Sequence, residues 1–80
     1  MVDLWRPEPL AEQLAGILRE KIDKGEYAPG TKLPSEAALH QTYDVARNTV
    51  RRALAILRAE GRIVTFDGRG SFVPPAPSAD

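Results

Sequence analysis

The chain of 80 residues has no cysteine, which removes disulfide frameworks, thiolate nucleophiles and cysteine-ligated zinc together and fits a reducing compartment. It has one histidine, His40, and a lone histidine without cysteine company makes no zinc site. His40 is expected on the surface or partly packed. No apolar run long enough for a membrane span or secretory signal is present, and the start reads Met1-Val2-Asp3-Leu4-Trp5-Arg6. The expectation is a soluble, cytoplasmic chain with no membrane partner. Aromatic residues are few: Trp5, Tyr27, Tyr43, Phe66 and Phe72 are scattered along the chain, which suits core or hairpin packing better than a stacking platform for RNA. No spacing brings Ser, His and Asp into a nucleophile arrangement, and so short a chain has little room for a deep pocket. No enzyme, no cofactor and no small-molecule effector site is expected.

Net charge is also lacking, since 11 basic residues balance 11 acidic ones. The balance hides an asymmetry. Met1 to Asp44 carries five basic residues against eight acidic ones, whereas Val45 to Val73 carries six arginines against Glu60 and Asp67. A phosphate backbone would meet the second part. Eighty residues allow one small core, and cores of this size often lean on a partner subunit.

Leu10, Leu14, Ile17, Leu18 and Ile22 recur at helical spacing, and Gly25 stands where a helix stop belongs. Glu26 to Pro34 has no helical period and contains Pro29-Gly30 and Pro34, which reads as an ordered connector. Ser35 is placed to cap a short second helix running to about Thr42, with Glu36 favoured in its first turn. Tyr43-Asp44-Val45 makes a break. A third helix runs from about Arg47 through Val50, Ala53, Leu54 and Leu57 to the stop at Gly61. Ile63 to Phe66 and Ser71 to Val73 then read as two short strands around Asp67-Gly68-Arg69-Gly70. A lone hairpin is marginal, so it must pack on the helices. The division is a flexible segment 1–8, a domain 9–73 and a proline-rich tail or linker 74–80, whose P-x-x-P at Pro74 to Pro77 reads as a frayed end.

At about 100° per residue, Val50, Ala53, Leu54 and Leu57 fall together on one face of the third helix, and Arg47, Asn48, Arg51, Arg52 and Arg58 fall on another. Arginine can donate two parallel bonds to guanine, and asparagine can pair with adenine. Arg47, Asn48 and Arg51 sit near the helix N-terminus, the end that enters the major groove in helix-turn-helix proteins. Thr49 is less well aimed and suits a phosphate. Arg58 is about 16 Å farther along the axis and is assigned to solvent or a distant phosphate. Arg69, between Gly68 and Gly70, suits the minor groove or a phosphate. The DNA-binding set is Ser35, Arg47, Asn48, Thr49, Arg51, Arg52, Gly68 and Arg69. Gly68-Arg69-Gly70 is no dinucleotide fingerprint, because neither a third glycine nor a helix follows. The fold expected is α+β, a winged helix-turn-helix of three helices and a two-stranded β-hairpin wing. The competing reading is a winged-helix protein-interaction module, against which Arg47, Asn48 and Arg51 argue, because such a face needs apolar anchors.

Gly25 to Glu36, Val45 to Leu54, Gly61 and Gly68-Arg69-Gly70-Ser71-Phe72-Val73 resemble the GntR regulators over roughly Leu10 to Val73. The resemblance implies a repressor-type DNA-binding domain in which Arg47 and Arg51 contact DNA, with Asn48 as the polar residue between them and Gly68 as the wing glycine. Two positions depart from the family. Ala37 stands where it usually has a DNA-contacting arginine, and Ala46 where it usually has serine or threonine. The partners implied are double-stranded DNA with a palindromic operator and a second copy of the chain, dimerised on the DNA. The family normally carries a larger effector-binding domain after this one.

Overall fold

In the computed structural model, which describes residues 9–75, the buried side chains come from all three helices, the connector between the first two and the ends of the hairpin. Leu14 and Leu18, Leu39, and Val50 and Leu57 are fully enclosed, joined by Leu33, Ile63 and Val73. Each such side chain contributes about 1.5 to 3 kcal/mol of transfer free energy. The expected flexible segment 1–8, the packing of Trp5 and the tail beyond Pro75 lie outside the described residues.

Three helices enclose this core: α1 (Leu10–Asp23), α2 (Glu36–Tyr43) and α3 (Arg47–Ala59). α1 and α2 both pack on α3. α1 and α3 end in the same way. After α3, the Gly61 N–H bonds the Arg58 carbonyl at 3.0 Å and the Arg62 N–H bonds the Leu57 carbonyl at 2.9 Å. This Schellman arrangement needs a left-handed residue, and Gly61 adopts φ 76° without a Cβ clash. α1 ends with the corresponding bonds, from the Gly25 N–H to the Ile22 carbonyl and from the Glu26 N–H to the Lys21 carbonyl.

α2 begins as expected, with the Ser35 hydroxyl accepting from the Ala38 N–H at 3.1 Å. It runs one residue past Thr42, and the break falls at Asp44-Val45-Ala46, where Asp44 takes φ 54°. The half-buried His40 ring spans this break, its Nδ1–H donating to the Val45 carbonyl. Val45 is itself buried, so the turn between α2 and α3 is anchored on both sides. Ala46 occupies the cap position of α3 and offers no side-chain bond.

The wing consists of β1 (Val64–Phe66) and β2 (Gly70–Phe72), paired antiparallel with Val64 opposite Phe72 and Thr65 opposite Ser71. β1 begins one residue later than the sequence expectation and ends with it at Phe66, and β2 is displaced by one residue toward the turn. Ile63 turns into the core before pairing begins, and Val73 leaves the hairpin to pair elsewhere. Its partner is the connector. Gly30 N–H meets the Val73 carbonyl at 2.7 Å, Val73 N–H the Thr31 carbonyl at 2.9 Å, and Leu33 N–H the Ser71 carbonyl at 2.8 Å. Lys32 thus bridges to Phe72 in antiparallel sense. The hairpin gains a third lane of backbone bonds, which supplies support that a two-stranded ribbon lacks.

Candidate nucleic-acid interface

α3 presents two faces with different chemistry. Val50, Ala53, Leu54 and Leu57 are buried, while Arg47, Asn48, Arg51, Arg52 and Arg58 are exposed and Thr49 is half-buried. The N-terminal turn of α3 has no capping side chain and no acidic residue, so its first N–H groups and the positive end of the helix dipole face outward beside Arg47 and Asn48.

The arginines differ in their partners. Arg47, Arg52 and Arg69 form no ion pair among the described residues. Arg51 does: its Nε lies 3.2 Å from Glu36 Oε1 in the first turn of α2, with the two side chains 62% and 41% exposed. So open a pair contributes about 0 to 1 kcal/mol, and it engages Arg51 through Nε. Sequence reasoning gave Glu36 only a helix-dipole role. Its contact with Arg51 depends on the angle between α2 and α3, which no local signal encodes.

On the wing, Gly68 (φ 76°) and Arg69 sit in the exposed turn, closed by the Arg69 N–H to the Phe66 carbonyl at 3.0 Å. A cleft of about 280 Å³ separates this turn from the start of α2, lined among others by Lys32, Ser35, Glu36, Leu54, Thr65 and Arg69. Lys32 was missed in the sequence because its segment reads as a connector. It runs across Gly70, where an added Cβ would stand 2.7 Å from Lys32 Cε. The structure therefore gathers Ser35, Gly68 and Arg69 around one cleft, with Arg47, Asn48, Arg51 and Arg52 on the adjoining helix.

Arg58 is exposed, as the sequence implies, and its Nη1 also donates to Thr65 Oγ1 on the wing at 3.3 Å. The outer face of the wing is apolar: Val64 and Phe66 are 40% and 50% exposed, and Phe66 meets Phe72 edge to face at 5.8 Å. Among the described residues there is no group of acidic, histidine or cysteine side chains that could hold a metal ion, and no helix is long and apolar enough to cross a membrane.

Residues 10–73 match the family described as bacterial regulatory proteins, gntR family. The chain is 45% identical over 65 residues to an uncharacterized HTH-type transcriptional regulator, YurK, of Bacillus subtilis, which covers 81% of this chain and 27% of that protein. It is 41% identical over 66 residues to the mannosyl-D-glycerate transport/metabolism system repressor MngR of Escherichia coli, covering 82% of this chain and 28% of the relative. It thus spans about a quarter of the length of these relatives. Its fold superposes on the AraR DNA-binding domain, crystallised with operator ORX1, with a TM-score of 0.84 at 29% identity, covering 91% of this chain and 94% of that one. With the family matched over most of its length and the same three helices and wing, the chain belongs to the gntR family of bacterial regulatory proteins.

Proposed function

We propose that this chain is the DNA-reading domain of a transcription regulator, a repressor, that binds double-stranded DNA by sequence. α3 enters the major groove, with Arg47, Asn48 and Arg51 at base edges and Thr49 and Arg52 at flanking phosphates. Ser35, at the start of α2, lies against the backbone, and the wing brings Gly68 and Arg69 to the minor groove or its phosphates. The observation that carries this reading is the exposed arginine face of α3, in which Arg47 and Arg52 have no carboxylate partner among the described residues. A cationic face left open beside an uncapped helix N-terminus suits phosphate and base acceptors. The relatives support the regulatory role, since MngR is called a repressor and the AraR domain was crystallised on an operator. Two copies bind a two-fold operator and dimerise there, because the first bound subunit raises the effective concentration of the second.

The test is fluorescence anisotropy with a duplex enriched by this chain from a random-sequence pool and a scrambled control, at two salt concentrations, for wild type and Arg51→Ala. The wild type should prefer the enriched duplex, and Arg51→Ala should lose that preference with a shallower salt slope. Equal binding of both duplexes by the wild type would contradict base reading. The exposed Val64 and Phe66 would then favour a protein-interaction module.

A further inference from the structure

A side-chain contact ties the wing to α3. The wing's apolar side chains, Val64, Phe66 and Phe72, lie on one face of the hairpin, and Thr65 and Ser71 lie on the other. That second face turns toward α3, where Arg58 reaches Thr65. The buried apolar side chains next to the hairpin are Ile63 and Val73 at its base, and backbone bonds from the connector hold its β2 side at Ser71 and Val73. Beyond the base, a chain of polar contacts takes over. Arg58 Nη1 donates to Thr65 Oγ1 at 3.3 Å between two exposed side chains, and Thr65 Oγ1 lies 3.0 Å from Ser71 Oγ. Ser71 is only 9% exposed, and its carbonyl is held by the Leu33 N–H. The last member of the chain is thus fixed to the connector that leads into Ser35.

The charge of Arg58 is also spent differently from that of its neighbours. Arg19 and Arg62 each meet a carboxylate, whereas Arg58 meets a neutral hydroxyl. Hydrogen bonds are directional where apolar contacts are not, so this chain sets an angle. We infer that Arg58, Thr65 and Ser71 are positioning residues that fix the tilt of the wing against α3, so that Arg69 and the arginines of α3 engage one duplex together. The inference rests on the DNA-reading function proposed above.

The test is a set of double-mutant cycles on the enriched duplex, pairing Arg69→Ala with Arg58→Met, Thr65→Val and Thr65→Ser. Arg58 is exposed, so Arg58→Met spares the fold. Thr65→Val keeps β-branching and removes only the hydroxyl. Melting temperatures monitor both. Loss of Arg69 should cost at least about threefold less in Kd in the Arg58→Met and Thr65→Val backgrounds than in wild type, as expected for coupled groups. Thr65→Ser should restore the full effect. Amide exchange at Gly68 and Arg69 should accelerate in Thr65→Val without DNA. If Arg58 instead contacts phosphate, Arg58→Met lowers the salt slope by about one, acts independently of Arg69→Ala, and is not reproduced by Thr65→Val; that pattern overturns the inference. Arg51→Ala separates the two claims. Should it abolish sequence preference while the cycles are additive, only the positioning role fails; should the wild type show no preference, both fail.

Discussion

The two flanks of α3 treat their positive charges in opposite ways. On the flank shared with α1, cations meet carboxylates: Arg19 grips Glu60 with two bonds of 2.8 and 2.6 Å and Arg62 meets Asp23, while along α1 and the loop after it Lys21 meets Glu26 and Lys24 meets Glu20. On the outer flank, Arg47 and Arg52 have no such partner among the described residues, and Arg51 has only the open pair with Glu36. The net charge of the chain is zero, yet the field outside it is not uniform. Carboxylates neutralise the side that packs and leave the outer side cationic. Zero net charge therefore says little about affinity for nucleic acid when acid and base are segregated.

The contrast breaks most readily at Arg51. Replacing it by alanine should reduce discrimination between enriched and scrambled duplexes by about 1 to 3 kcal/mol, the usual worth of a bidentate arginine–guanine contact, with the melting temperature unchanged because the side chain is open to solvent. Competition anisotropy measures the first and calorimetry the second. Ala46→Ser comes next. It should stabilise the fold by about 0.5 to 2 kcal/mol by supplying the missing cap of α3, read as a rise in the denaturant midpoint.

Glu36→Gln sharpens the contrast from the acidic side. Removing the carboxylate beside Arg51 should raise affinity for scrambled DNA more than for the enriched duplex, by a factor of about two to five at low salt, because electrostatic attraction is sequence-independent. A gain confined to the enriched duplex would contradict this. Glu60→Gln, on the paired flank, should have the smallest effect. The bonds from Arg19 hold the Glu60 carboxyl below its ordinary value of 4.5. A lowered folded value means that the pair stabilises fully above about 4.5 and ceases to do so as pH falls through the folded value. The small loss in melting temperature seen with Glu60→Gln at neutral pH should therefore vanish in acid, and DNA affinity should not change.

Much of this was legible in the sequence because the signals are local. Leu14, Leu18, Val50, Leu54 and Leu57 keep the helical period, Gly25 and Gly61 mark the stops, and Ser35 caps as its position implies. The two faces of α3 follow from spacing alone. What escaped depends on tertiary angles. Thr31-Lys32-Leu33, between Pro29-Gly30 and Pro34, is too short to show alternation, so its pairing with Ser71 and Val73 left no trace. The contacts of Glu36 with Arg51 and of Arg58 with Thr65 join separate elements, and a helical wheel places each residue only relative to its own axis.

The most direct test is a backbone amide chemical-shift map of the whole chain titrated with the enriched duplex. The largest perturbations should fall at Arg47 to Arg52 and at Gly68 and Arg69, with a smaller set at Ser35 and Glu36, while Arg19, Lys21, Lys24 and Arg62 on the paired flank stay still. Perturbations centred on that flank, or on Val64 and Phe66 with Arg47 to Arg52 unmoved, would contradict the account.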